Sequence, residues 1–498
     1  MNEIKIKKEK LKILIVASEV VPFAKTGGLA DVTGALPKAF KKLGHDVRVV
    51  LPKYKCISDE KFNIIDTGKR VVVDIALVKH IGVIKQSFFP GTEIPVYFID
   101  NDEFFNRDEL YRTPYGEYWD NAERFIFFSR AVIEMLKEID FIPDVVHCND
   151  WHTGLIPVYL KTIYKNIGDN IATIYSIHNI AYQGYTDKEK LSHAGLPWEL
   201  WTMDKLEFYG GINFMKGGIV FSDIINTVSE NYKKETETPE FGYNLDGVLR
   251  CRNSDYFGVI NGVDYEIWDP AIDKYIDVNF DIKTIHLKNE MKKILLQEIG
   301  LKYFENVPLF CMVSRLDAQK GIDFIVSIMD EMLKMNLQFV ILGTGDKWYH
   351  DILYDFKNKY PEKFSIHFKF DNILAHKIYA GADIFLMPSY FEPCGLGQLI
   401  ALKYGTVPIV RAIGGLKDTI KQFNFRTKQG NGFLFYGNNP MDLLQVIRIA
   451  VDTYKNKSVW MKLIENGMKE NFSWEHSAQE YVKLYYKAME KHNNKDVR

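Results

Sequence analysis

Two stretches of the chain alternate short, continuous apolar runs with amphipathic helical patterns, and this alternation restricts the fold more than any other feature. KILIVA, from Lys12, is apolar nearly throughout, as expected of a parallel strand covered on both faces. Leu29, Val32, Leu36 and Phe40 then recur at helical spacing, Gly44 closes the helix, and DVRVVLP is the next strand. IPVYFI, PDVVHC and ATIYSI continue this series. A second begins near Pro308 with LFCMVS, FVILGTG, FSIHFKF, IFLMPS and VPIVRA, separated by helical patterns such as GIDFIVSIMDEMLK. Two such series predict an α/β protein of two Rossmann-like, doubly wound domains. VINGVDYEIWDPAIDKYI, rich in Gly, Pro and Asp and without clean periodicity, reads as the connection. The expected boundaries are a first domain at 1–258, a linker at 259–272, a second domain at 273–472, and a long amphipathic helix from a Ser473 cap at 473–498 that returns to the first domain. The tail NNKDVR is expected to fray.

Bulk properties exclude several classes of partner. The 63 basic and 65 acidic side chains leave a net charge of -2, so no bulk field attracts nucleic acid or an anionic membrane. No apolar run approaches the ~20 residues of a membrane span. Lysines precede LKILIVA, but the apolar run is short for a signal peptide and no small-residue cleavage site follows. Cys56, Cys148, Cys251, Cys311 and Cys394 lie far apart without a CxxC pair, which fits reduced thiols in a cytoplasm and neither a zinc site nor a disulfide framework.

The first strand runs into VVPFAKTGGLADV. A glycine pair opening a helix at the C-terminal end of a parallel strand can present backbone N–H groups and the positive helix end to an anion, and Lys25 adds a full charge. The pattern is neither GxGxxG nor GxxxxGK[ST]. By itself it reads equally well as a phosphate cradle at Lys25, Gly27 and Gly28 or as a turn required by helix–sheet packing. In the second series, Arg315 and Lys320 of VSRLDAQKG and Glu392, Gly395 and Gly397 of PSYFEPCGLGQL also follow strand ends. Facing sheets would converge these groups on one deep interdomain cleft. Cations for a diphosphate and a carboxylate accepting from sugar hydroxyls describe a nucleotide-sugar transferase.

KTGGLADV (25–32), HCNDWH (147–152), SIHNIAYQG (176–184), EFGYNLDGVL (240–249), INGVDYEIWDP (260–270), SRLDAQKG (314–321) and FEPCGLGQL (391–399) resemble, in order and spacing, the bacterial-type glycogen/starch synthases. The resemblance covers nearly the whole chain. It implies a GT-B fold and retaining α-1,4-glucosyl transfer from ADP-glucose to the non-reducing end of a glucan, glycogen or maltodextrin, without a metal cofactor. Carried over by position, Lys25, Gly27 and Gly28 meet the donor diphosphate and sugar. Arg315 and Lys320 neutralise the leaving ADP, Glu392 holds the donor glucose, and the backbone of Cys394, Gly395 and Leu396 caps it. Phe370 offers an aromatic face to adenine, and His178 lies by the anomeric carbon, with its carbonyl or ring steadying positive character. Asp150 is the one carboxylate near enough to be considered beneath the sugar, and Asp31, Trp151, Asn179 and Gln183 shape the acceptor side. Closure of two lobes over the donor is expected. The lysine of KTGGL points to ADP-glucose over UDP-glucose by analogy with the family.

Gly397 departs from the Ser or Thr of many members, and Ile400 stands where wider relatives carry a second glutamate in an E-x7-E pattern. The DxD-like Asp100-Asn101-Asp102 reads as a solvated turn, His147, Asp150 and His152 lack a fourth metal ligand, and the Cys394 thiol reads as a helix-start residue. LYRTPYGEYWDNAERF and LPWELWTMDKLEFYGG suit glucan-facing loops and core packing equally. A UDP-glucose-dependent synthase, a silent glucan-binding relative, a two-lobed solute-binding protein and a pyridoxal-phosphate-dependent phosphorylase are the competing functions.

Overall fold

The computed structural model describes residues 10–494. Residues 5–9 of the lysine-rich KIKKEK stretch and 495–498 of the NNKDVR tail lie outside the described residues, while Asn493 and Asn494 complete the final helix. The chain forms two compact units. Among the described residues, the first runs to Val228, takes up Lys233–Val259 and includes the helix Trp474–Asn494; the second holds Ser229–Tyr232 and Ile260–Ser473. No helix of the described residues is long and apolar enough to cross a membrane.

The first unit is built on a nine-stranded sheet. Its parallel body reads, from one edge, Tyr256–Gly258, Ile224–Thr227, Ala172–Ile177, Val145–Asn149, Lys12–Val16, Asp46–Pro52 and Pro95–Asp100. Ile13 stands opposite Val47 on one side and Val145 on the other, so the first strand is the centre from which the chain winds outward twice. An antiparallel hairpin, Ile65–Ile75 with Val78–Phe88, extends the far edge. The doubly wound expectation did not include this hairpin.

The helix Gly28–Lys42 buries Leu29, Val32, Leu36 and Phe40, the four residues its period singles out. Phe40 meets Tyr485 of the final helix with ring centroids 5.3 Å apart. That helix is also held by a buried polar chain. Asn226 Nδ2 donates to the Tyr481 hydroxyl at 3.1 Å, Ser176 Oγ donates to Asn226 Oδ1 at 2.5 Å, and the His147 ring lies between Ser176 Oγ (2.5 Å) and the Tyr485 hydroxyl (2.9 Å). Ser176 gives its proton to Asn226, so it accepts from His147 Nε2–H, and His147 Nδ1 accepts from Tyr485. The ring is neutral because burial lowers its pKa to about 3.

The second unit has a six-stranded parallel sheet in the order Phe364–His367, Gln338–Leu342, Leu309–Val313, Ile384–Met387, Val407–Arg411 and Phe433–Phe435. Its central strand is covered on both faces, with Phe310 and Met312 in one core and Leu309 and Cys311 in the other. That accounts for the unbroken apolar reading of LFCMV. The connecting segment from Ile260 has no helix of its own before Ile285–Leu287. It is fastened to the second unit, with Val263 N–H donating to Phe472 O (2.7 Å) and Phe472 N–H to the Tyr265 hydroxyl (3.0 Å).

Each parallel sheet reverses its winding once, between Lys12–Val16 and Val145–Asn149 in the first unit and between Leu309–Val313 and Ile384–Met387 in the second. Ligands of open α/β sheets bind beyond the strand C-termini at such reversals. Tyr485→Phe removes the donor to a buried ring nitrogen, and a loss of about 1–3 kcal/mol is expected in urea unfolding; an unmoved midpoint would show that ring packing alone holds the final helix.

Candidate active site

In the first unit the reversal point collects three loops, those after Val16, Asn149 and Ile177. The first holds the KTGG turn. Gly27 is the N-cap of the helix, with extended backbone at φ -142°, and neither Gly27 nor Gly28 has any atom within 4 Å of the place a Cβ would take. Helix–sheet packing therefore does not require either glycine, and the space they leave is open. The expectation of free amides is corrected at Gly27. The buried carboxylate of Glu19 accepts from Thr26 N–H (2.5 Å), Gly27 N–H (3.0 Å) and Thr26 Oγ1 (2.6 Å), and from the Tyr111 hydroxyl (2.9 Å). Glu19 thus fills part of the amide nest with an internal anion and fixes the turn from beneath. Lys25 is paired with Asp31 (2.7 Å), with half of the lysine side chain exposed.

The second and third loops interlock. Asp150 sits at φ +55° and ψ -178°, a positive-φ conformation that favours glycine, and its Oδ1 accepts His178 N–H at 2.8 Å. Burial pushes its carboxyl up to about 7, against the lowering pull of the His178 and Asn179 amides. This oxygen thus holds the turn that carries His178. Asn149 Nδ2 donates to Val16 O (3.0 Å) and His147 O (3.2 Å), so its Oδ1 faces His178 Nε2 at 2.9 Å. Only the Nε2–H tautomer satisfies that contact, leaving the lone pair on Nδ1. Burial lowers the His178 pKa to about 4, so the ring is neutral and repels no positive charge beside it.

Trp151 is buried, stacked on His152 at 4.2 Å and edge-on to Phe125 at 4.9 Å. Gln183 is fully engaged, donating to Ile180 O and Tyr243 O and accepting from Asn213 Nδ2 at 2.6 Å. Asn179 Oδ1 accepts Ala181 N–H at 3.0 Å. Beside them lies a groove of about 530 Å³ within the first unit, lined among others by Trp119, Trp151, Tyr182, Gln183, Phe208 and Tyr243. The two aromatic-rich stretches divide their residues. Phe125, Leu200 and Leu206 enter the core, whereas Tyr115, Trp119 and Tyr209 are exposed.

In the second unit, Asp317 caps the turn Ala318–Lys320, accepting Lys320 N–H at 3.1 Å. Gln319 Nε2 reaches Phe391 O at 3.1 Å and ties this loop to the next. The Lys320 ammonium then meets the buried Glu392 carboxylate at 2.6 Å, and Ser389 Oγ donates to the same oxygen at 3.1 Å. Arg315 stays largely exposed, 3.4 Å from Asp317. Gln398 Nε2 donates to Cys394 O and Gly395 O, each at 3.0 Å, and so shapes the backbone ahead of the helix Gly397–Lys403. The IGG turn supports the loop from below: at Gly414, φ +45°, a Cβ would lie 1.9 Å from Glu392 O. Burial pushes the Cys394 thiol up to about 12, which removes it as a nucleophile.

Both departures have a packing reason. A side chain at Gly397 would meet Phe385 Cζ at 2.7 Å, and Ile400 belongs to a buried apolar cluster where a carboxylate would be unpaired. Phe370 is 91% exposed on the loop after Phe364–His367, also at the strand C-termini. Asn101 caps the short helix Asp102–Phe105, so the DxD-like triplet serves as a helix start. Among the described residues no group of three or more His, Cys, Asp or Glu could hold a metal ion. Sequence reasoning missed Glu19, Tyr111, Asn149 and Gly414. A repeated strand–GGL pattern at 414–416 was the one available signal.

Two Rossmann-like units, each with charged and glycine-bearing loops at its reversal point, define a glycosyltransferase of the GT-B class. Residues 12–251 match the starch synthase catalytic domain family, and residues 299–469 match glycosyl transferases group 1. A glycogen synthase from Fervidobacterium nodosum is 48% identical over 97% of this chain and 99% of its own, and one from Thermotoga maritima is 46% identical over 97% and 99%. The catalytic domain of starch synthase IV from Arabidopsis thaliana, solved bound to ADP and acarbose, superposes with a TM-score of 0.88 at 32% identity, covering 97% of this chain and all of that one. A sucrose-phosphate synthase from Thermosynechococcus elongatus, at 16% identity and a TM-score of 0.59, shares the fold. The chain belongs to the glycogen/starch synthase family of glucosyltransferases.

Gly28→Ala should leave stability unchanged or raise it by up to about 1 kcal/mol, since Ala favours the helix, while donor turnover falls at least about tenfold as the methyl fills the open space. Full activity in that variant would return the glycine pair to a role in folding. The raised Asp150 pKa means the native state holds a proton that the unfolded chain releases. This group's contribution to stability therefore falls as pH rises from about 4 through about 7, and Asp150→Asn should flatten that part of the denaturation profile.

Proposed function

We propose that the protein transfers glucose, with retention, from ADP-glucose to the non-reducing end of an α-1,4-glucan, glycogen or maltodextrin. The observation that carries this reading is the Lys320–Glu392 pair, an ammonium and a buried carboxylate on adjoining loops of one reversal point. A sugar nucleotide asks for that combination, a cation for its phosphates and an acceptor for its hydroxyls. The ADP bound to the Arabidopsis relative supports an adenine donor, and the exposed face of Phe370 is free to stack on the base. The aromatic groove beside Trp151 and Gln183 suits an acceptor glucan.

As the glucose C1–phosphate bond breaks, Arg315 and Lys320 take up the charge of the leaving ADP in place of a divalent ion. The main-chain carbonyl or the neutral Nδ1 of His178 steadies the positive character at C1. The leaving phosphate oxygen takes the proton of the acceptor hydroxyl while the new C1–O4 bond forms on the same face. Asp150 is engaged by the His178 amide, which supports a front-face path over a carboxylate nucleophile. Trapping a glycosyl ester on Asp150 would overturn this path. Five free cysteines suit a reducing cytoplasm.

Purified protein incubated with glycogen, EDTA and either sugar nucleotide tests the proposal. Glucose incorporation from ADP-glucose is expected, with Lys320→Ala and Glu392→Gln each reducing it about 10²-fold or more. Transfer from UDP-glucose alone would overturn the donor assignment, and dependence on added metal would overturn the role given to the cations.

A further inference from the structure

The two loops assigned to the donor in the second unit leave strands that are not neighbours in the sheet. Phe370 leaves the strand Phe364–His367, the Glu392–Leu396 loop leaves Ile384–Met387, and two strands separate these in the sheet order. Each loop runs directly into a helix, Asn372–Gly381 after Phe370 and Gly397–Lys403 after Leu396. Contacts that set these helices against each other therefore add to the sheet in setting the base-facing ring against the sugar-facing loop.

Two buried charged groups bridge them. Asp273, with a fully buried side chain, accepts from His376 Nδ1 of the first helix at 2.7 Å and from the hydroxyl of Tyr404, the C-cap of the second, at 2.5 Å, both on Oδ2. Its Oδ1 accepts Tyr275 N–H at 2.9 Å. The Lys288 ammonium donates to Tyr379 O and Ala380 O at the end of the first helix and to Tyr404 O. Trp268 lies flat on the His376 ring, 3.7 Å between centroids and 5° between planes, and Asp269 pairs with Lys403 at 2.8 Å. The segment 268–273, just past the point where the chain enters this unit, thus grips both helices.

We infer that Asp273 is a positioning residue for the donor. It holds the base-facing and sugar-facing loops at the separation an intact sugar nucleotide spans, and the inference rests on the function proposed above. The carboxylate is needed for this geometry. An amide at 273 can keep His376 and Tyr404 on its oxygen only by turning its NH2 group toward the Tyr275 N–H, donor against donor, and in the opposite orientation His376 Nδ1 would have to accept, with its proton moved to an Nε2 that is buried without any acceptor.

The test compares ligands that reach one loop or both. Calorimetric titration of the full chain with AMP and with ADP-glucose, in the absence of glucan, is expected to show Asp273→Asn weakening ADP-glucose about tenfold while AMP stays within about twofold. Tyr404→Phe, which deletes one hydroxyl inside a well-packed unit, should reproduce part of that loss, and the two changes together should not add. It carries the test if the Asp273 variant fails to fold. KM for glycogen should not change in either variant. Unaltered ADP-glucose affinity, or AMP and ADP-glucose weakened alike, would overturn the inference and leave the function standing. A wild-type chain that binds no ADP-glucose would overturn both.

Discussion

Parallel strands cannot be joined by tight turns, and the rest of this molecule follows from that. Each strand must be returned by a crossover, so every strand of a parallel body ends at the same edge. Where the winding reverses, neighbouring crossovers leave in opposite directions and expose backbone between them. In the first unit that gap collects the turn after Val16 and the loops after Asn149 and Ile177; in the second it collects the loops after Val313 and Met387. Residues distant in sequence become neighbours there because the chain has no other way to close the sheet.

Charge at these points is balanced before any ligand arrives. Lys25 pairs with Asp31, Arg315 with Asp317 and Lys320 with Glu392. The pairs differ in how much they hold. Lys25 and Asp31 are substantially exposed, and such a pair contributes about 0–1 kcal/mol, so it opens at little cost. Lys320 and Glu392 are nearly buried and share an oxygen with Ser389. Breaking that pair would leave an uncompensated charge. The first pair is suited to release a cation to a ligand, the second to keep its geometry while a ligand joins it. Glu19 acts differently again, as an internal anion on the Thr26 and Gly27 amides.

Legibility in the sequence followed burial. Strands covered on both faces, such as Leu309–Val313 and Ile384–Met387, read as unbroken apolar runs and stood where expected. The hairpin Ile65–Ile75 with Val78–Phe88 did not stand out, because Ala76 and Leu77 turn it at φ +48° and +68° without the Asn-Gly that usually marks such a turn. Glu19 follows an apolar run and belongs to no motif that marks it, yet it is 4% exposed. Asn149 lay inside a quoted motif, but nothing local shows that its amide sets the tautomer of a histidine 29 residues later.

The sequence by itself determined the two α/β units, the loops that reach the ligand edge and the family to which the chain belongs, because apolar period and glycine-bearing strand ends are local properties. Tertiary structure alone decided whether Gly27 and Gly28 serve packing or leave space, which carboxylate answers each cation, and the neutral state of His178. Those outcomes depend on atoms from other loops and on how far each group is removed from water, and neither quantity is carried by any short stretch of residues.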